Sequence, residues 1–378
     1  MTCRHPLLLA SAFLFAWAVR SDVDWKLLSL GGKGLFSSSP LSVYAKTSGL
    51  QAGPPSLVVV RGLNLLPGTA GLWVSQALMA FMGWFMIYLV ERWTVAGATW
   101  RRAPLGPGLL TLAVGVPVLE QWGWLAGDTP HPEDALAVLT LLLALRALTC
   151  RRELRGALLI GLAIAWKPWA IAALPSVLGT SRKLRALVIA VAVPAACWLP
   201  FLLGDPSTLS AVGHGFTVQP SSLLRVMGFS GNVIPDWWRT LELACVLAGA
   251  ALAARRDWRV GFAAGCAVRL MLDPAGYEYY YAGLIMVTAL TERLVGARPW
   301  RTALVWLGAG FAPFLATQSF GGLVQFGVLA IVLVGWVLPW RRPAGIGFEG
   351  AAVLREQVPA QRDPEHRELT GIRGGFSR

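Results

Sequence analysis

The chain has 378 residues, of which 55% are hydrophobic and only 14% charged, against about a quarter charged in an ordinary soluble domain. That balance excludes a soluble enzyme and a disordered chain. The net charge of +13 would on its own fit a nucleic-acid binder, but such proteins do not carry this much apolar sequence, so no nucleic-acid partner is expected. Eighteen tryptophans strengthen the class that remains, because Trp concentrates where a protein meets the boundary between lipid tails and water. The composition is that of an all-α polytopic membrane protein.

In chain order, apolar stretches that cross or enter a bilayer run over 6–19, 69–90, 104–120, 134–149, 156–178, 186–203, 240–254, 260–272, 280–291, 302–316 and 321–340. With Met1 in the cytoplasm, the connections expected inside carry Arg92, Arg101 and Arg102, then Arg151, Arg152 and Arg155, then Arg255, Arg256 and Arg259, then Arg293, Arg298 and Arg301, then Arg341 and Arg342. This is the positive-inside pattern. It predicts a multi-pass protein of the plasma membrane, with the N-terminus and the C-terminal tail both cytoplasmic. The net charge is then mainly a record of orientation. Arg4, the first apolar run and Ala16-Trp17-Ala18 also have the form of a cleavable signal peptide; a retained anchor is preferred, and cleavage would not alter the rest of the topology. Residues 1–342 are expected to form the membrane domain. Residues 343–378, charged and nearly free of aromatics, read as a disordered cytoplasmic tail.

One stretch breaks the alternation. Residues 156–178 lie between two basic runs, Cys150 to Arg155 and Ser181 to Arg185, and a single crossing would put one run outside. Two half-length segments, 156–165 and 168–178, turning at Trp166-Lys167-Pro168-Trp169, keep both inside. Pro168 disfavours helix at Lys167, and non-helical backbone at membrane depth is tolerated only where protein covers it or a wet cavity faces it. The turn therefore aims a lysine at an interior site from the outer side.

The acids sort to that outer side as well. The first outer connection, 20–68, opens with Ser21-Asp22-Val23-Asp24-Trp25-Lys26 at the end of the first membrane helix. A carboxylate there has a low-dielectric wall on one side and a cavity on the other, which favours a general base. The alternative is a pair of solvated helix-end acids. The same connection continues through Gln51 and Gly53-Pro54-Pro55 into Ser56 to Leu66, 11 residues too short to span, which read as an interfacial helix.

A second acidic group is Asp128-Thr129-Pro130-His131-Pro132-Glu133-Asp134. Asp134 is either a helix-start acid complementing the macrodipole or a site residue, and His131 in the same loop is placed to bind phosphate or hydroxyls. The third group is cationic: Lys167 at the turn, and Arg269, which either faces a cavity or pairs with Asp273 one turn later. Tyr277, Glu278, Tyr279, Tyr280 and Tyr281 follow, as an aromatic belt or a sugar-stacking platform. The five cysteines include no pair spaced as a metal site. No zinc site, disulfide framework or cofactor is expected, and no ligand spacing argues for a divalent cation.

Outward acids with intramembrane cations suggest transfer from a lipid-phosphate sugar. Lys167 and Arg269 would hold the phosphate while a carboxylate takes the proton from an acceptor hydroxyl attacking the anomeric carbon, with inversion.

Several segments together carry a resemblance. Asp24-Trp25-Lys26 followed by Leu50-Gln51-Ala52-Gly53-Pro54, His131-Pro132-Glu133-Asp134-Ala135-Leu136, Gly161 to Ala170 around Lys167-Pro168-Trp169, and Arg269 to Tyr280 resemble the bacterial membrane glycosyltransferases of family 87. That family has the GT-C fold and includes polyprenyl-phosphate-mannose-dependent mannosyltransferases. The resemblance spans about residues 20–290 and implies a GT-C-like bundle of about 10–12 transmembrane or half-membrane helices with an outer-loop active site. It implies a catalytic acid at Asp24, with Asp22 in reserve. It also implies a polyprenyl-phosphate donor, consistent with Lys167; on the reading of the residues themselves, donor phosphate is assigned to Lys167, Arg269 and His131, and substrate contact to Asp134, Gln51, Tyr277 and Tyr280. The implied partners are a polyprenyl-phosphate sugar donor, a glycolipid or glycan acceptor and membrane lipid, the product belonging to the cell envelope. The competing reading is a transporter or flippase of a lipid-linked or polar substrate, for which intramembrane cations and a broken helix are also expected.

Overall fold

The computed structural model describes residues 4–94, 106–213, 217–220, 222–275, 280–295, 297–311 and 318–338. The expected tail, 343–378, lies outside them. Among the described residues the protein is helical, with one isolated antiparallel bridge between Thr217 and Val233. Three helices, Ala70–Trp93, Lys183–Gly204 and Asp236–Arg256, are long and apolar enough on their own to cross a membrane. The other apolar stretches form shorter helices.

The apolar stretches fold much as their lengths predict. Helix α1 (Arg4–Ala18) packs its Leu8, Ala12 and Ala16 face against α5 (Ala70–Thr94) and α6 (Gly106–Gly123). Next, α7 (Pro132–Thr149), α8 (Glu153–Trp166) and α9 (Lys183–Gly204) pack side by side; after the short α10 (Thr208–Gly213) and α11 (Leu223–Val226), α12 (Asp236–Arg256), α13 (Gly261–Leu272), α14 (Tyr280–Val295), α15 (Trp300–Phe311) and α16 (Gln318–Val337) complete the bundle. Its core is rich in alanine: Ala135, Ala144, Ala157, Ala163, Ala172, Ala190, Ala263 and Ala267 are all buried. Small side chains let helices approach closely. At Gly161 the approach is such that an added Cβ would lie 2.9 Å from the Ala190 carbonyl oxygen of α9.

The hairpin expected at 156–178 is present. Helix α8 ends at Trp166, Lys167 is extended (φ −149°, ψ 122°), and the chain continues as a 3-10 helix over Pro168–Gly179. At the far end Glu153 accepts from the Ser181 N–H (2.6 Å), the Ser181 hydroxyl (2.8 Å) and the Arg182 N–H (3.2 Å). The chain therefore returns to where α8 began. The lengths match because a 3-10 helix rises more per residue: about 21 Å for the 14 residues of α8 and about 24 Å for the 12 that follow.

The first connection folds more fully than expected. It holds α2 (Val23–Gly34), a 3-10 turn (Pro40–Ser42), α3 (Val43–Lys46) and α4 (Pro54–Leu63), gathered on a cluster of Trp25, Leu28, Tyr44, Leu50, Leu57 and Val60. The short helix expected at 56–66 is α4, starting two residues earlier because Pro54 occupies its first turn and ending at Leu63. This subassembly docks on the break in the hairpin. The Trp166 carbonyl, left without a helical partner, accepts from the Gly53 N–H (2.8 Å) and the Ser56 hydroxyl (2.9 Å).

That docking requires a glycine, since a Cβ at Gly53 would stand 1.7 Å from the Ala165 carbonyl oxygen. Gly53→Ala is expected to lower stability by about 2–3 kcal/mol, whereas Gly62→Ala, with nothing within 4 Å, leaves it unchanged or slightly raised. Thermal unfolding of the two purified variants checks the contrast.

Candidate active site

The end of the bundle where α8 breaks collects most of the predicted residues. Two contacts bring the first connection beside the loop before α7. The Ser21 N–H donates to the Gly127 carbonyl (2.8 Å), and Gln76 Nε2 on α5 donates to the carbonyls of Ser21 (3.1 Å) and Gly127 (2.9 Å). A Cβ at Gly127 would come 2.2 Å from the Ala16 carbonyl oxygen, so this approach also needs glycine. Asp24, in the first turn of α2, then reaches His131, the residue capping α7.

His131 lies between two carboxylates. Its Nε2 is 3.2 Å from Asp24 Oδ2 and its Nδ1 is 2.7 Å from Glu133 Oε1. With a carboxylate oxygen beside each ring nitrogen, the surroundings favour the charged imidazolium. Burial alone would push the imidazole down. The Glu133 charge and the hydrogen bonds to Asp24 and Glu133 outweigh both burial and the opposing charge of Lys167, and lift it to about 9. Asp128 in the same loop is also raised, first by burial and then by the charge of Asp24.

Lys167 is buried at 3% exposure. Its Nζ lies 2.8 Å from Glu133 Oε1 and 3.2 Å from Asp134 Oδ2. Sequence reasoning assigned Lys167 and His131 to donor phosphate, but their nearest anions are protein carboxylates, because both face the acidic first turn of α7. Asp134 is no simple helix-start acid either: its Oδ1 accepts from the Trp169 indole N–H, and His131 Nδ1 is 4.0 Å from its Oδ2. His131, Glu133 and Asp134 offer ligand atoms within 4.8 Å of one another, a set that could hold a metal ion. The cation among them here is the Lys167 ammonium, and a divalent ion would have to displace it.

Beyond Asp134 a small cleft of about 20 Å³ is lined by Asp134, Trp169, Cys266, Arg269, Tyr280 and Leu284 among others. Trp169 stacks on Phe262 with ring centroids 5.9 Å apart. The Arg269 guanidinium lies 4.5 Å from the Tyr280 ring centroid and 5.8 Å from that of Trp169. Its Nη2 is 3.0 Å from Asp273 Oδ2. Both readings of Arg269 thus hold in one geometry: it pairs one turn along and it lines the cleft.

The remaining predicted residues divide. Asp22 stands apart from the cluster, in an exposed pair with Lys26 at 2.9 Å. Gln51 is half-buried in the loop leading to Gly53, two residues from the contact with Trp166. Tyr277 lies outside the described residues. Glu133 and Trp169 were missed as site residues. The sequence signal for Glu133 was a third ionisable group between His131 and Asp134, and for Trp169 an indole beside the helix-breaking Pro168.

Comparison with family models, with curated proteins and with solved structures returned no match.

Two outcomes follow from this charge network. Because the folded state raises His131 from its ordinary 6.5 to about 9, its contribution to stability is complete below pH 6.5 and is lost as pH rises through about 9. The loss is on the order of 3 kcal/mol. Thermal unfolding should show a decline over that interval that is flatter in His131→Gln. Glu133→Gln leaves the buried Lys167 with one fewer carboxylate and should cost about 3 kcal/mol or more, a larger change than in Asp22→Asn under the same conditions.

Proposed function

We propose that the protein is a polytopic membrane hexosyltransferase of the GT-C type, transferring a sugar, mannose in the first instance, from a polyprenyl-phosphate donor to a lipid or glycan acceptor at the outer face of the plasma membrane. The observation that carries this reading is the convergence, at one end of an apolar helical bundle, of a solvent-reaching carboxylate with a cleft walled by a cation and aromatic rings. Asp24 is 29% exposed on its side chain, open enough to meet an acceptor hydroxyl. It is joined to the cleft through His131 and Asp134. The hairpin supports the topology, since it returns the second basic run to the end that bears the first.

Asp24 accepts the proton of the acceptor hydroxyl as that oxygen bonds to the anomeric carbon. The bond from that carbon to the phosphate oxygen breaks, polyprenyl phosphate leaves with both electrons, and the configuration inverts. His131 holds the Asp24 carboxylate by one oxygen and leaves the other for the acceptor. Arg269, rather than Lys167, is the residue assigned to the departing phosphate, because Lys167 is engaged by Glu133 and Asp134 whereas the guanidinium has five N–H donors and lines the cleft. Tyr280 and Trp169 supply apolar faces for a sugar ring.

In membranes supplied with a polyprenyl-phosphate sugar, Asp24→Asn should reduce sugar transfer by about 10²–10⁴-fold at unchanged protein level, while Asp22→Asn retains most of the activity. Wild-type transfer in both variants would overturn the base assignment. Absence of transfer by the wild-type protein from every polyprenyl-phosphate sugar supplied would favour the transport alternative.

A further inference from the structure

The opposite end of the hairpin carries a feature that the transfer reaction does not use. Glu153 binds the backbone of Ser181 and Arg182, so the runs Arg151, Arg152, Arg155 and Arg182, Lys183, Arg185 share one surface. A third run joins them. Trp258 packs on Gly179 so closely that a Cβ there would lie 2.3 Å from its Cγ, which brings Arg255 and Arg256 at the end of α12 alongside. All eight cations are exposed, and none forms a salt bridge among the described residues. By contrast, Arg259 in the same loop is held by Asp257.

Such a surface is unfavourable by itself. Like charges repel, and Arg155, Lys183 and Arg185 sit in first helical turns, where a cation opposes the helix dipole. Sidedness needs a net excess of basic residues on one side, not the convergence of eight of them on one patch whose nearby acids, Glu153 and Asp257, are engaged by the Ser181 and Arg182 N–H groups and by Arg259. Next to the cations the surface turns apolar: Leu154 and Leu158 on α8, and Leu184 and Val188 on α9, are 42%, 50%, 74% and 57% exposed. Among the described residues, α9 is one of three helices long and apolar enough to span a bilayer. Cations bordering exposed aliphatic side chains at the end of a spanning helix match an amphiphile with an anionic head and acyl chains.

We infer that the surface formed by 151–155, 181–185 and 255–256 is a binding site for anionic phospholipid, with the phosphate headgroup on the arginines and the acyl chains along Leu154, Leu158, Leu184 and Val188. The inference takes from the proposed function only that the bundle lies in a bilayer. It stands or falls apart from sugar transfer.

The test titrates phosphatidylglycerol or phosphatidylcholine into detergent-purified full-length protein, reading bound lipid by native mass spectrometry and unfolding temperature. The wild-type protein should bind phosphatidylglycerol at least about tenfold more tightly and be stabilised by it. Arg152→Gln/Arg182→Gln/Arg185→Gln should weaken that binding roughly fivefold per cation removed, and Arg20→Gln should not. If the triple variant does not fold, the wild-type protein alone decides: the preference should collapse as salt rises from about 0.05 M to about 0.5 M, where the Debye length falls to a few ångströms. Equal affinity for the two lipids, or a preference indifferent to salt, overturns the inference. Displacement of the lipid by inorganic pyrophosphate at micromolar concentration also overturns it, since that would mark a site for soluble anions rather than for lipid.

Discussion

An ammonium group that is almost wholly buried has to be compensated, and the carboxylates that compensate Lys167 fix the arrangement around it. Lys167 Nζ is met at 2.8 and 3.2 Å by Glu133 and Asp134, both from the first turn of α7. Removing two charges from water and pairing them does not of itself stabilise a protein, but once such a pair exists the loss of either partner is costly. The relation between α7 and the end of α8 is therefore tightly specified. The same break that lets Lys167 turn inward strands the Trp166 carbonyl, and Gly53 and Ser56 supply its donors. One helix interruption thereby recruits the first turn of α7 on one side and the first connection on the other.

The site inherits its asymmetry from this. Three carboxylates and two cations lie in one contiguous network: Asp24, His131, Glu133, Lys167 and Asp134. Only Asp24 among them has substantial exposure; the others are buried or nearly so. In the proposed transfer, exposure separates the roles. A group that exchanges a proton with a substrate has to be reachable, whereas a group that orients another is better fixed by packing and hydrogen bonds. Asp22, two residues earlier and paired with Lys26 in solvent, is reachable but unoriented, so the geometry separates Asp24 from the acid that the sequence keeps in reserve.

Much of the architecture was legible in the sequence. Apolar runs and Pro168 located the helices and the hairpin, and the two basic runs flanking 156–178 argued for its return, because helix-breaking and charge placement are local properties. The partners within the site were not local. Nothing near Lys167 in the chain indicates that Glu133, 34 residues away, would neutralise it, and a lysine in an apolar segment reads equally as a ligand for phosphate. Likewise α2 was hidden, because its Gly31, Gly32 and Gly34 argue against helix on propensity. They are needed for contact instead: a Cβ at Gly31 would meet Leu50 at 2.6 Å, and one at Gly34 would meet Val43 at 2.7 Å.

The two ends of the hairpin solve one problem by different means. A chain that enters an apolar bundle and turns back has two reversals, each of which leaves backbone groups without helical partners. At the inner reversal a carbonyl is exposed, and backbone and hydroxyl donors from the first connection satisfy it. At the open reversal N–H groups are exposed, and the Glu153 carboxylate satisfies them. The first solution imports a neighbouring segment and so builds a site. The second uses an acid from the hairpin itself, whose oxygens are taken up by the Ser181 and Arg182 N–H groups and the Ser181 hydroxyl, while none of the surrounding cations forms a salt bridge among the described residues. Their charge is then available to whatever anion borders that end of the bundle, and the extended 3-10 segment, by matching the length of α8, is what keeps both reversals in register.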